Sequence, residues 1–121
     1  MTFQELAKMG LLYDFYGKLL SKRQREVLAL YYEENLSLGE ISQEFNISRQ
    51  GVYDALKHGG EALVEYEESL GLVERFKEKE KFLSEIRETI DLLLNDTDAL
   101  CKEELVTGLL KIRTIVEDLD G

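Results

Sequence analysis

Hydrophobic residues recur at helical spacing in the first twenty positions of the chain. They are Leu6, Leu11, Leu12, Phe15, Tyr16, Leu19 and Leu20. Thr2 precedes them, and threonine is one of the residues that accept a hydrogen bond at a helix N-cap. The pattern therefore predicts a first helix over about residues 3–18.

Two capping boxes mark the starts of the next helices, because each pairs a serine with a glutamine or glutamate three residues later. They are formed by Ser21 with Gln24 and by Ser37 with Glu40. A second helix is predicted over about residues 22–34 and a third over about 38–45. Asn35 is expected to end the second helix, since asparagine tolerates a left-handed backbone.

A fourth helix is predicted after a tight turn at Asn46, with Ser48 as its N-cap and Arg49 as its first residue. Gly59 and Gly60 fall further along the same pattern. Two glycines cost a helix about 2 kcal/mol relative to alanine. A bend or break is therefore expected at this pair.

Beyond Gly71 the pattern changes to long, charged, amphipathic helices with apolar residues three, four or seven positions apart. The first stripe consists of Phe76, Leu83, Ile86, Ile90 and Leu93, and the second of Leu105, Leu109, Ile112, Val116 and Leu119. A polar turn at residues 95–98 separates them. The sequence thus predicts a helix-turn-helix or winged-helix-like domain over 1–70 and an acidic antiparallel helical hairpin over 71–121.

The composition favours an all-α fold, since proline is absent and good helix formers are abundant. The longest apolar run, residues 27–32, is far shorter than the ~20 residues that span a bilayer. Cys101 is the only cysteine, so no internal disulfide can form. A reducing, cytoplasmic location without membrane insertion is expected, and the first residues do not resemble a signal peptide.

The net charge of −10 is distributed unevenly along the chain. Residues 21–60 carry five basic and six acidic side chains, whereas residues 61–121 carry eight basic and seventeen acidic ones. A phosphate backbone would repel the second half. Any contact with nucleic acid is therefore expected from the front half.

The third and fourth helices have the apolar spacing that a helix-turn-helix requires. The inner positions are Leu38, Ile41, Phe45, Ile47, Val52 and Leu56, with Val27, Leu28 and Tyr31 closing the core. In such a unit the second helix presents its N-terminal turns to the DNA major groove. The candidate contacts on this helix are Ser48, Arg49, Gln50, Tyr53, Asp54 and Lys57.

Arginine can donate two hydrogen bonds to guanine, and glutamine can pair with adenine in the same bidentate way. Lys22, Arg23 and Arg25 at the start of the second helix are candidate phosphate contacts. Gly51 and Asp54 occupy positions where a DNA-reading helix favours bulkier or basic residues. The alternative is that these side chains form a solvated face on a domain that binds protein.

The order and spacing of three segments resemble sigma-factor region 4, a family that binds promoter DNA. The segments are 20–28 (LSKRQREVL), 36–41 (LSLGEI) and 47–52 (ISRQGV). A resemblance to the YlxM family covers almost the whole chain, through residues 13–16 (YDFY), 37–41 (SLGEI), 48–54 (SRQGVYD) and 65–68 (EYEE). YlxM proteins are bacterial helix-turn-helix proteins encoded beside signal-recognition-particle components. This resemblance implies a regulatory or accessory role in that pathway, with the particle's RNA or protein as partner.

The sequence is compatible with two functional hypotheses. In the first, a dimeric helix-turn-helix protein contacts DNA or the particle's RNA through the fourth helix. In the second, the helix-turn-helix is a scaffold, and the acidic hairpin binds a basic protein. Four tyrosines could either stack on bases or pack in the core. They are Tyr31, Tyr32, Tyr53 and Tyr66.

No pattern of residues points to an enzyme. No glycine-rich phosphate loop follows a strand, and no nucleophile has a base and an orienting group at a known spacing. His58 and Cys101 are single and far apart in sequence, whereas a metal site needs three or four such ligands. Neither a cofactor nor a bound metal is expected.

Overall fold

The computed structural model describes residues 2–95 and 102–120, and within these ranges it contains helices and no strand. The all-α prediction is confirmed. A winged helix would add strands to the helix-turn-helix, so that variant does not describe this domain. The helices are α1 (Phe3–Tyr16), a 3₁₀ turn (Gly17–Leu19), α2 (Lys22–Tyr32), α3 (Leu38–Phe45), α4 (Arg49–Leu70), α5 (Leu72–Asn95) and α6 (Lys102–Asp120).

The predicted capping residues determine where the helices begin. The hydroxyl oxygens of Ser21 and Ser37 accept hydrogen bonds from the backbone N–H groups three residues later, and both capping boxes are complete. Thr2 forms a third box with Glu5. Ser48 Oγ accepts from the backbone N–H of Gly51 and caps α4. Each cap satisfies N–H groups that have no partner inside the helix.

Two of the predicted helix ends differ from the observed ones. The first helix continues as a 3₁₀ turn from Gly17, where a side chain would meet the Tyr13 ring at 2.9 Å. The second helix ends at Tyr32, and Asn35 lies in the following loop with φ +57°. Asn46 is left-handed with φ +52° and ends α3 as expected. The left-handed asparagines thus reverse the chain without glycine.

The first of two compact units, Met1–Val73, contains two hydrophobic clusters. The first is centred on Leu12, Tyr16, Leu20, Leu28, Leu63 and Val73. The second is the predicted helix-turn-helix core, with Val27, Ile41 and Val52 fully buried and Leu38, Phe45 and Ile47 packed around them. α4 contributes to both clusters through Val52 and Leu63. This long helix therefore joins the helix-turn-helix to the rest of the unit.

A buried tyrosine holds the C-terminal end of α4 in place. Tyr16 has no exposed surface, and its hydroxyl donates to Glu67 Oε1 at 2.6 Å while accepting from the backbone N–H of Leu72 at 3.0 Å. The same carboxylate oxygen accepts from the backbone N–H of Val73. Burial raises the pKa of the Tyr16 phenol above 10.0, and the hydrogen bond to Glu67 raises it further. The turn around Gly71 is thereby tied to α1.

The two glycines do not break the fourth helix, because α4 runs without interruption from Arg49 to Leu70. The predicted break at this pair is therefore wrong. Gly59 is buried, and a Cβ placed there would lie 2.9 Å from Leu28 Cδ1. A Cβ at Gly60 would lie 3.3 Å from Met9 Cε. The pair allows α4 to approach α2 and α1 closely, and this packing offsets the low helix propensity of glycine.

The second unit, Glu74–Gly121, consists of most of α5 together with α6. The two helices meet where Gly108 faces Leu93, since a Cβ at Gly108 would lie 2.8 Å from Leu93 Cδ2. Leu93 is near the end of α5 and Gly108 is near the start of α6. Thr89 on α5 and Ile115 on α6 are both buried, and each lies further from the connection than Leu93 or Gly108 does. This order is expected of two antiparallel helices. The predicted turn at 95–98 lies, apart from Asn95, outside the described residues.

The inner face of the hairpin differs from the predicted stripes. Within the second unit, the buried or half-buried positions are Phe82, Glu85, Ile86, Thr89 and Leu93 on α5, and Gly108, Ile112, Ile115 and Leu119 on α6. Six predicted stripe residues are instead exposed, namely Phe76, Leu83, Ile90, Leu105, Leu109 and Val116. The spacing of apolar residues predicted two amphipathic helices. It could not show which of two adjacent apolar stripes on each helix is buried.

No helix in the described part of the chain is both long enough and apolar enough to cross a membrane.

We expect Gly59→Ala to destabilise the first unit by about 1–3 kcal/mol, because the added methyl group would overlap the fully buried Leu28. The measurement is the free energy of unfolding from urea titration. Gly10→Ala is the matched control, since a Cβ at this helical glycine meets nothing within 4 Å. It should stabilise by about 0.5–1 kcal/mol. An unchanged or higher stability for Gly59→Ala would show that the close approach is not required.

Candidate nucleic-acid interface

The first turns of α4 carry the candidate side chains on the side of the helix that faces solvent. Arg49, Gln50 and Lys57 are exposed, and Tyr53 is 51% exposed. Val52, on the opposite side, is fully buried in the helix-turn-helix core. The core therefore determines which face of α4 a partner can reach, as in proteins that insert this helix into a groove. Ser48 lies at the start of this face, where its hydroxyl acts as the N-cap.

Arg49 lies over the start of α3. A Cβ placed on Gly39 would come within 3.1 Å of an Arg49 guanidinium nitrogen. The absence of a side chain at Gly39 gives the guanidinium room beside the first turn of α3. A guanidinium held against the backbone loses less rotamer freedom on binding than one that moves freely in solvent. This pairing could not be predicted from the sequence, because it joins residues on two different helices.

Gln50 is held by its neighbour on the same helix. Its side-chain Nε2 donates to Asp54 Oδ1 at 3.0 Å, one turn further along. This bond orients the amide while leaving its carbonyl oxygen and second N–H free for another partner. The Asp54 carboxylate also places a negative charge on the candidate surface, where it opposes binding of phosphate. Asp54 thus orients the Gln50 amide and remains a candidate contact on this face.

The three basic residues predicted to touch phosphate do not form one cluster. Lys22 is exposed in the first turn of α2. The Arg23 guanidinium stacks on Phe45 of α3, 4.8 Å from the ring centroid, as a cation–π pair. Arg25 is half-buried in a different cleft, together with Tyr13 and Glu33. Lys22 and Arg23 therefore remain candidates near the helix-turn-helix, whereas Arg25 belongs to the packing between α1 and α2.

The four tyrosines left open by the sequence separate into different environments. Tyr66 packs against the Tyr16 ring and donates to the backbone oxygen of Leu19, so it is a core residue. Tyr31 and Tyr32 form an edge-to-face pair with ring centroids 5.1 Å apart at the end of α2. They line a cleft with Tyr53, and burial raises the Tyr32 pKa above 10.0, with Tyr31 as a smaller cause.

Groups of three or more histidine, cysteine, aspartate or glutamate residues that could hold a metal ion are absent from the described residues. His58 is exposed on α4. Cys101 lies outside the residues that the structure describes.

Comparison with known proteins identifies the family. A family model described as "UPF0122: Putative helix-turn-helix protein, YlxM / p13 like" matches residues 3–102. The chain belongs to the UPF0122 family. A UPF0122 protein of Caldanaerobacter subterraneus is 55% identical over 82 residues, which are 68% of this chain and 70% of that protein. Similar proteins from Desulforamulus reducens and Listeria welshimeri are 47% and 43% identical, over 73% and 69% of this chain and 75% and 76% of their own lengths.

The UPF0122 match covers all of α1 to α5, and hence every candidate residue on α2 and α4. Apart from its first residue, α6 lies beyond the matched stretch. The resemblance to YlxM proteins seen in the sequence is thereby confirmed, and the family description itself contains a helix-turn-helix.

We expect Asp54→Asn to strengthen binding to a duplex by up to about fivefold, because the change removes a negative charge near phosphate and keeps an acceptor for Gln50. The measurement is the dissociation constant for one labelled DNA duplex at fixed low salt. Glu65→Gln is the matched control. This exposed residue lies eleven positions further along α4, roughly 16 Å by helical rise and beyond the Debye length of about 10 Å. Equal effects of both substitutions would mean that only net charge matters and that Asp54 is not near the ligand.

Proposed function

We propose that this UPF0122 chain is a regulatory or accessory protein that binds nucleic acid through the first turns of α4. The observation that carries the proposal is the exposed face of this helix. Its Arg49, Gln50 and Lys57 side chains are accessible, whereas Val52 on another side of the helix is buried in the helix-turn-helix core. In this mode the helix enters a groove, Arg49 and Gln50 reach base edges, and Lys22 reaches phosphate.

The distribution of charge limits where such a ligand can lie. The second unit carries eight basic and thirteen acidic residues and therefore repels phosphate. Binding must depend on a small number of cations in the first unit, so long-range attraction is weak. A modest salt dependence is expected, with a slope of about −0.9 per phosphate contacted on duplex DNA.

The resemblance to YlxM proteins suggests the biological setting. We propose that the nucleic acid is the signal-recognition-particle RNA, or DNA, and that the chain serves as an accessory factor of that pathway rather than as an enzyme. A cytoplasmic location is part of the same proposal, because a chain with a single cysteine suits a reducing compartment.

The proposal is tested by measuring binding to pooled duplex DNA and to signal-recognition-particle RNA across a salt titration. The double variant Arg49→Ala/Gln50→Ala should weaken binding by tenfold or more, since each bidentate contact contributes about 1–3 kcal/mol. Arg87→Ala, which removes one exposed arginine from α5, is the control and should leave binding unchanged. Failure of the wild-type protein to bind either ligand at low salt would reject nucleic-acid binding.

A second candidate function is a protein–protein adaptor, favoured by the acidic second unit. Its helix α6 begins with the exposed pair Glu103 and Glu104. A basic, RNA-binding protein of the signal recognition particle would complement this charge. Reversal of both residues to lysine should then abolish capture of that protein, while Arg49→Ala/Gln50→Ala should leave capture intact. The opposite pattern would favour the nucleic-acid reading.

We also propose that the second unit pairs with a second copy of the chain. The hairpin buries one apolar stripe on each helix and leaves another exposed, which includes Leu83 and Ile90 on α5 and Leu109 and Val116 on α6. Each of these pairs is seven residues apart, the heptad spacing at which helices pack side by side. A matching hairpin from a second copy would cover this face through an isologous contact.

Leu83→Glu should convert the dimer to a monomer at micromolar concentration, because the added charge would be buried at the seam. Sedimentation velocity gives the oligomeric state, and circular dichroism verifies that the helices remain. Ser84→Glu adds the same charge at the next, exposed position and should leave the dimer intact. A wild-type protein that sediments as a monomer at tens of micromolar would exclude the pairing.

A further inference from the structure

Beside the candidate face of α4 lies a cleft with a volume of about 400 Å³. Two helices supply three tyrosines to it, Tyr31 and Tyr32 from the end of α2 and Tyr53 from α4. Leu38, Leu56 and Lys57 complete the lining. The volume falls within the ~300–1,000 Å³ range of small-ligand sites in proteins.

The chemistry of the lining is unusual for this chain. Acidic residues number 25 among 121, yet none lines this cleft, and its one charged group is the Lys57 ammonium. The walls are aromatic and aliphatic, with three phenolic hydroxyls that can both donate and accept hydrogen bonds. Such a site suits a flat ring that forms hydrogen bonds and has a negatively charged group attached close to it.

The position of the cleft indicates where that ring would come from. Tyr53 and Lys57 are one helical turn apart, and both belong to the exposed face that also carries Arg49 and Gln50. A strand of nucleic acid bound along this face would pass the mouth of the cleft. Its bases offer flat rings that stack on tyrosine, and Lys57 would meet the adjoining phosphate.

We propose that this cleft receives one unpaired base of the bound nucleic acid, so that the preferred ligand has a bulged or single-stranded nucleotide rather than a continuous duplex. The inference rests on the proposed function and narrows its ligand. Bases in an intact duplex are stacked and paired, and so cannot enter the cleft without the cost of unstacking. Recognition through splayed bases stacked on aromatic side chains is the usual mode for sequence-specific binding of RNA.

The test uses an RNA hairpin with a single bulged 2-aminopurine and the same hairpin without the bulge. Base–aromatic stacking contributes about 1–3 kcal/mol, so the wild-type protein should bind the bulged hairpin about 5- to 150-fold more tightly. The 2-aminopurine fluorescence should fall on binding, because stacking on tyrosine quenches it. A bulged DNA hairpin in parallel distinguishes RNA from DNA as the source of the base.

Tyr53→Ala should remove both the preference for the bulged hairpin and the quenching, because both depend on stacking of the base against the Tyr53 ring. Tyr53→Phe keeps the ring and should retain both. Arg49→Ala/Gln50→Ala should instead weaken binding of both hairpins. Tyr53 is half exposed, so neither change at this position threatens the core.

Equal affinity of the wild-type protein for both hairpins, with no change in 2-aminopurine fluorescence, would overturn the cleft proposal and leave nucleic-acid binding intact. Retention of the bulge preference in Tyr53→Ala would likewise overturn it. Absence of binding to either hairpin, to duplex DNA and to signal-recognition-particle RNA would reject the proposed function and the cleft proposal together.

Discussion

The close approach of α4 to α2 at Gly59 and Leu28 is the constraint on which the first unit depends. A single helix of 22 residues serves as the second helix of the helix-turn-helix and as the spine of the neighbouring core. It can do both only if it passes α2 without an intervening side chain. At its far end the buried Tyr16 hydroxyl and Glu67 fix the turn into α5. Packing at the C-terminal end of α4 thus helps to fix the orientation of the exposed face at its N-terminal end.

The orientation of α4 determines which side chains form the candidate surface. The buried Val52 directs Arg49, Gln50, Tyr53 and Lys57 towards solvent, and neighbouring groups lie close to two of them. Gly39 leaves space for the Arg49 guanidinium, and Asp54 holds the Gln50 amide. Partly ordered side chains lose less entropy on binding. Under the proposed function, such ordering would help a few cations in an acidic chain to form a binding surface.

The two units differ in how completely they bury their apolar residues. The first unit buries two clusters of large apolar side chains, whereas the second leaves an apolar stripe exposed on both helices. A two-helix hairpin has too little interior to cover two stripes per helix, so pairing with another surface is the natural way to remove the remainder from water. The acidic charge of this unit also keeps it away from phosphate. Under the proposals made above, nucleic acid would be bound by the first unit and a second copy by the second.

Local sequence alone determined the starts of α1 to α4, because a capping threonine or serine and its partner lie three residues apart and act without the rest of the fold. It also determined the helix-turn-helix core, since Ile41 on α3 and Val52 on α4 each lie on the apolar face that the helical period predicts for its own helix. Contacts between helices were decided only by the tertiary structure. Arg23 on Phe45, Gly59 against Leu28, and the tyrosine cleft each join residues that are far apart in the chain. The choice between two adjacent apolar stripes in the hairpin was likewise made by packing, because periodicity identifies a hydrophobic face but not the neighbour that covers it.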